Sequence, residues 1–127
     1  MNIIIDTHAL IWYIEGEKRL SKTAISAIEN LNNQVFVSKA SLWELAIKIS
    51  LGKLKISIGF DDLKKFLLEN GFSILDYNFD HLITLLSLQY HHRDPFDRLI
   101  IAQSIYNRFN IVTIDKNFRK YDVKIIW

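Results

Sequence analysis

Five short apolar runs set the terms for the rest of this chain: Asn2–Ile5, Val35–Val37, Phe72–Leu75, Ile111–Thr113 and Val123–Ile126. Each is too brief for a helix and too apolar to face water, so each reads as a buried strand. Helical patterns separate them. They cover Thr7–Ile14, Ser21–Leu31 (Ala24, Ile25, Ile28 and Leu31 on one face), Ser41–Leu51, Asp61–Asn70, Phe79–Leu88 and a helix opening at Pro95. Strands alternating with helices predict an α/β fold of three layers, a central parallel sheet with helices on both faces and right-handed crossovers. If the first and fourth strands are neighbours, the order is 3-2-1-4-5. Ligands of such sheets sit beyond the carboxyl ends of the strands, where the order reverses. Asp6 and Asp115 stand at those ends.

Half of the 127 residues are apolar, enough for one ordinary domain over 1–127 with a sizeable core. The chain has no cysteine, which excludes disulfide scaffolds and thiolate metal sites and fits a reducing, cytoplasmic setting. No Lys or Arg precedes the first apolar residues and Asp6 interrupts them, so no signal peptide is expected. The longest apolar run, Ala9–Ile14, is far short of a membrane span. A net charge of +2 permits nucleic-acid binding without arguing for it.

The richest segment is His92-Arg93-Asp94-Pro95-Phe96-Asp97-Arg98-Leu99-Ile100-Ile101-Ala102-Gln103, which holds the only proline. Asp94 suits a helix N-cap, Pro95 the first helical position, and Asp97 the first turn, where the helix dipole favours an anion. Apolar residues then cover most of the helix circumference, so a buried helix begins with an acidic tip.

Every acid has a structural explanation as well as a chemical one. Asp6 can cap the helix that follows it. Glu44 can complete a capping box with Ser41 and pair with Lys48 one turn later. Asp94 reads as a cap, Asp97 as a complement to the dipole, and Asp115 as part of a turn. Taken together they are harder to explain away, because an α/β sheet gathers several such points at one edge. Two carboxylates ~4 Å apart repel by about 4 kcal/mol at an effective dielectric near 20, whereas a helix dipole returns only about 0.3–1 kcal/mol. A cluster of this kind keeps protons or binds a cation, and oxygen ligands favour Mg²⁺ or Mn²⁺. Paired divalent ions suit in-line displacement at phosphorus. The histidines carry less. His8 lies near Asp6 in sequence, and His91-His92 lacks metal-ligand spacing and reads as a polar loop. Gly52-Lys53 has no phosphate-loop context.

As a set, these residues resemble the PIN-domain family, in particular the VapC-type toxins of bacterial toxin–antitoxin pairs. The resemblance runs through Ile3-Ile4-Ile5-Asp6-Thr7-His8-Ala9-Leu10-Ile11-Trp12, Ser41-Leu42-Trp43-Glu44-Leu45-Ala46-Ile47-Lys48 with Gly52-Lys53-Leu54, Asp94-Pro95-Phe96-Asp97-Arg98 with Ala102-Gln103, and Thr113-Ile114-Asp115 with Phe118. It implies an RNase-H-like sandwich and a Mg²⁺- or Mn²⁺-dependent ribonuclease. It assigns Asp6, Glu44, Asp97 and Asp115 as the catalytic, metal-binding acids, with Thr7 or Thr113 orienting carboxylates. Asn117 departs from the pattern, because many relatives carry a further acid there. The resemblance also implies an RNA substrate, a cognate antitoxin and a homodimer. Trp12, Tyr13 and Trp43 lie beside the acids as candidate contacts for either protein partner. Lys48, Arg93, Arg98, Lys116 and Arg119 are candidates for the RNA backbone, each with ordinary solvated surface as the plain alternative.

Two other readings stay open at this level. A receiver-like signalling domain also has an acidic pocket at its strand ends, but it calls for paired acids after strand one, whereas Thr7 follows Asp6. Asp76 is its only candidate phosphoacceptor, and where a lysine is expected after a late strand the chain reaches Trp127. A PIN fold acting purely as a scaffold is the other, and the four acids speak against it.

Overall fold

The computed structural model describes residues 1–127. Its strands are β1 (Asn2–Ile5), β2 (Gln34–Ser38), β3 (Phe72–Leu75), β4 (Asn110–Val112) and β5 (Ile125–Ile126). The helices are α1 (Thr7–Glu15), α2 (Lys22–Glu29), α3 (Lys39–Ser50), α4 (Phe60–Glu69), α5 (Phe79–Ser87) and α6 (Pro95–Asn107), and a 3₁₀ turn covers Lys116–Lys120. All strand pairs are parallel, in the order β3-β2-β1-β4-β5. The expected sheet is present, and its order reverses between β1 and β4. A receiver has the order 2-1-3-4-5 instead. Here Asp76 follows the edge strand β3 and is exposed, its carboxylate bound to Lys39 Nζ at 3.0 Å. That alternative is set aside.

β1 shows why the sheet is covered on both sides. Ile3 and Ile5 enter one apolar cluster, with Leu10, Val35, Val37, Leu45, Leu63, Leu67 and Val112. Ile4 enters the other, with Ile100, Ile101, Ile111 and Phe118. All three isoleucines are fully buried, each contributing about 1.5–3 kcal/mol over an exposed position. An unbroken apolar strand is thus the pattern that two covering layers require.

The helix starts depart from expectation at one informative place. Ser41 is not a cap: α3 begins three residues earlier, with Ser38 Oγ accepting the Ala40 N–H at 3.0 Å. The Ser38 hydroxyl also donates to Gln103 Oε1 at 2.6 Å, so a buried contact with α6 fixes the helix start. Ser41 accepts instead from Thr7 Oγ1 at 3.0 Å, joining α3 to α1. Glu44 is released from backbone duty and lies buried in the second turn. α5 has a capping box the sequence reading did not expect, in which Asn78 and His81 each accept the other's backbone N–H. α2 ends at Glu29, and Leu31, expected on its apolar face, is wholly exposed.

Candidate active site

The site is built outward from the switch point. Asp6 ends β1 and starts α1, its Oδ1 accepting the Ala9 N–H at 2.7 Å. Its Oδ2 accepts from Thr113 Oγ1, which lies just past β4. The same Thr113 oxygen accepts the Asp115 N–H at 3.0 Å, while Asp115 Oδ1 caps the 3₁₀ turn through Asn117 N–H at 2.9 Å. One hydroxyl therefore ties the acids of two adjacent strands together. Of the two threonines weighed from sequence, Thr113 orients a carboxylate and Thr7 does not.

α6 brings the third acid. Asp94 Oδ1 accepts the Asp97 N–H at 2.9 Å and Pro95 takes the first turn, as expected. Glu44 comes from α3, with Oε2 accepting from Lys48 Nζ at 2.8 Å across one helical turn. Its Oε1 is buried and has no partner.

The charges register this convergence. Burial is the largest effect on Asp97 and, with repulsion from Asp94, Asp6, Glu44 and Asp115 in that order, raises its pKa from 3.8 to about 8. Asp6 rises to about 6, again mainly through burial and slightly through Asp115, against lowering by its Thr113 and Ala9 hydrogen bonds and the nearby His8. All four expected acids, and Asp94 as a fifth, thus act on one field. They are not closed around a point, since no three carboxylate or imidazole groups stand at metal-ligand spacing. That spread accords with the mutual repulsion of uncompensated carboxylates. The donor set still suits a hard divalent cation. It is all oxygen, Glu44 Oε1 is buried without a partner, and Asp97 Oδ1 makes no hydrogen bond.

His92 is the residue the sequence reading missed. It is half-buried rather than loose on a polar loop, with Nε2 3.3 Å from Asp97 Oδ2 and Nδ1 2.8 Å from the Tyr121 hydroxyl. Burial, ahead of the facing charges, lowers its pKa below 6.5. Arg98 is the other correction. At 4% exposure it is no surface contact for RNA, and it donates to Gln89 O at 2.8 Å and the Tyr121 hydroxyl at 3.0 Å. Arg93, Lys116 and Arg119 are exposed, while the His8 ring lies near Trp12 and the His91 ring stands edge-on to Tyr121. Tyr13 is half-buried, edge-on against the core residue Phe72, Trp12 is half-buried against Trp127, and Trp43 is 62% exposed. No helix is long and apolar enough to cross a membrane.

A parallel sheet in this order defines an α/β domain, with Asp6 and Asp115 at the carboxyl ends of two adjacent strands where the strand order reverses. The chain belongs to the PIN-domain family, whose sequence model matches residues 3–124. PIN domains are typically nucleases and generally metal-dependent. The fold is similar to VapBC2 from Rickettsia felis, solved bound to a DNA fragment from its promoter, at 19% identity and TM-score 0.73, over 98% of this chain and 97% of that one. It is also similar to a toxin–antitoxin complex from Klebsiella pneumoniae at 19% identity and TM-score 0.65, over 94% and 92%. FitAcB from Neisseria gonorrhoeae aligns at 17% identity and TM-score 0.68, over 97% and 95%. A comparison with curated proteins finds no match.

Proposed function

We propose that the chain is a Mg²⁺- or Mn²⁺-dependent endoribonuclease of the toxin type, active in the cytoplasm and silenced by a cognate antitoxin. The observation that carries this reading is that Thr113 ties Asp6 and Asp115 together at adjacent strand ends, with Glu44 and Asp97 close enough in charge to act on the same field. The buried, unpartnered Glu44 Oε1 adds to it, since an orphaned carboxylate oxygen is costly unless something positive comes to it. When bound, a divalent cation neutralises the acids and polarises the scissile phosphate.

The chain's own residues have distinct tasks in this reading. Asp6 and Asp97 are the main ligands, with Glu44 and Asp115 completing the set directly or through water. Thr113 locks Asp6, and Lys48 holds the far oxygen of Glu44. Arg93, Lys116 and Arg119, all exposed, receive the RNA backbone at the rim. In-line attack of water leaves 5′-phosphate and 3′-hydroxyl ends.

Two recesses supply surface for protein partners. One, about 600 Å³, is of mixed character, with Trp12, Tyr13 and Phe66 beside Glu15, Lys18 and Glu29. The other, about 580 Å³, is lined by Leu42, Trp43, Phe60, Tyr77 and Leu99. Neither contains the acids. The toxin–antitoxin assemblies among the similar folds favour an antitoxin as occupant.

A stripe on α5 and just past it supports a homodimer. Phe79, Ile83, Leu86 and Tyr90 are 82%, 59%, 86% and 81% exposed. A two-fold axis midway along the stripe sets Phe79 against Tyr90 and Ile83 against Leu86 of the second copy, the self-complementary pairing a symmetric contact needs.

The test incubates the purified chain with structured RNA and Mg²⁺, alongside Asp6→Asn and Asp97→Asn. Cleavage by the unaltered chain and its loss in both variants is the expected result. Equal cleavage by all three overturns the mechanism, and no cleavage by any leaves the scaffold reading in its place. Co-expression with the neighbouring open reading frame tests the antitoxin.

A further inference from the structure

We propose that His92 is a positioning residue for Asp97, locked as the neutral Nε2–H tautomer by a hydrogen-bond chain that starts at Arg98. The inference deepens the ribonuclease reading and rests on its assignment of Asp97 as a ligand. It follows from the direction in which each link must run.

Arg98 has five N–H donors and no acceptor. Its guanidinium lies over the Tyr90 ring, 3.9 Å from the centroid, and is held by Gln89 O at 2.8 Å and Leu88 O at 3.4 Å. It therefore cannot turn away from the Tyr121 hydroxyl 3.0 Å from Nη1, and that oxygen can only accept. The tyrosine proton remains free to donate, and the neighbour within reach is His92 Nδ1 at 2.8 Å. A neutral imidazole carries one N–H and one bare nitrogen, and which is which follows from the partner on the other side. With Nδ1 accepting, the proton sits on Nε2, aimed at Asp97 Oδ2 3.3 Å away. The ring stands edge-on to Tyr121 at 5.5 Å and tilted to Phe118 at 6.3 Å, and its side chain is only 11% exposed, so it has little room to flip.

The consequence falls on the two oxygens of one carboxylate. Oδ2 is engaged by His92, and Oδ1 keeps its lone pairs free. The relay thus sets Asp97 to offer a cation one oxygen rather than two. Partners that orient a ligand in this way typically matter by 10–100-fold in metal affinity.

Nitrogen-15 NMR of the metal-free chain near pH 9.5, where Asp97 is ionised, reads the tautomer directly, with the His92 resonances assigned by their absence in His92→Gln. The expected pattern is a single Nε2–H tautomer with a bare Nδ1, and Tyr121→Phe turns it into a mixture of tautomers. An imidazolium, an Nδ1–H tautomer, or a pattern unmoved by Tyr121→Phe overturns the proposal. A second measurement uses calorimetric titration with Mn²⁺. His92→Phe weakens binding by about 10–100-fold, whereas His92→Gln, which keeps an N–H near Oδ2, retains most of it. Equal affinities in the two variants also overturn the proposal. RNA cleavage enters neither readout, so a correct tautomer in a chain that cuts no RNA would condemn the ribonuclease reading alone.

Discussion

Thr113 and Asp6 stand 107 positions apart in the chain, yet the hydroxyl of one donates to Oδ2 of the other over 2.5 Å in the buried interior. Thr113→Val keeps the shape and removes the donor. Asp6 Oδ2 is then buried without a partner, and the Asp115 N–H loses its acceptor. We expect a stability loss of about 1–3 kcal/mol by urea unfolding. Because the hydroxyl lowers the Asp6 pKa, we also expect the variant to fall further behind the unaltered chain in Mn²⁺ binding at pH 6 than at pH 8. Unchanged stability and unchanged Mn²⁺ affinity would show that the bond is incidental.

Stability of the metal-free chain depends on pH with a definite sign. A carboxyl whose pKa is higher in the fold than in the unfolded chain stabilises the fold below its unfolded value, and loses that stabilisation as pH rises through the folded one. Asp6 acts in this way from 3.8 to about 6, and Asp97 from 3.8 to about 8. His92 opposes them only as pH falls below 6.5. In chelator, the window from pH 6.5 upward to about pH 8.5 therefore isolates Asp97, with an expected loss of about 2 kcal/mol across it. Asp97→Asn should flatten the profile in that window. A flat profile in the unaltered chain would contradict the coupling.

Divalent ions should reverse that loss. A cation that binds only the folded chain adds about 2.7 kcal/mol at a hundredfold excess over its Kd. Melting at pH 8 with and without Mn²⁺ measures this, and Glu44→Gln should abolish most of the gain. An equal rise in Glu44→Gln would remove Glu44 from the ligand set.

The α5 stripe predicts a dimer that one charge dissolves. Its four residues are each more than half exposed and would form the apolar centre of an interface that in standard cases buries about 800 Å² per partner. Light scattering on Leu86→Glu should report a monomer with an unchanged melting temperature. A monomeric unaltered chain at tens of micromolar would rule the surface out.

The sequence makes the sheet legible because every strand is short and mainly apolar, and Asp6 and Asp115 legible because the carboxyl ends of parallel strands share one edge of the sheet, where the order 3-2-1-4-5 makes these two neighbours. Asp97 follows from Asp94-Pro95, whose local chemistry fixes the helix start. Glu44 was placed on the right helix through a capping box that does not form. Ser41-x-x-Glu44 has the spacing, but Ser38 is drawn into the cap by its contact with Gln103, a residue 65 positions away. His92, Arg98 and Tyr121 escape sequence reasoning for the same reason. His92 and Tyr121 are 29 residues apart and no periodicity links them. The only local hint is that His92 precedes the Asp94 cap by two positions.

Asp6 differs from its companions in having both carboxylate oxygens already committed, one to the start of α1 and one to Thr113. It is an anvil, fixed to the middle of the sheet, while Glu44 Oε1 and Asp97 Oδ1 are without hydrogen-bond partners. In the proposed site, discrimination between a small six-coordinate ion and a larger one such as Ca²⁺ would then depend on the reach of Glu44 from α3, not on any give in β1. Shortening Glu44 to Asp would widen the gap on that side alone, shifting preference toward the larger ion while leaving the sheet untouched.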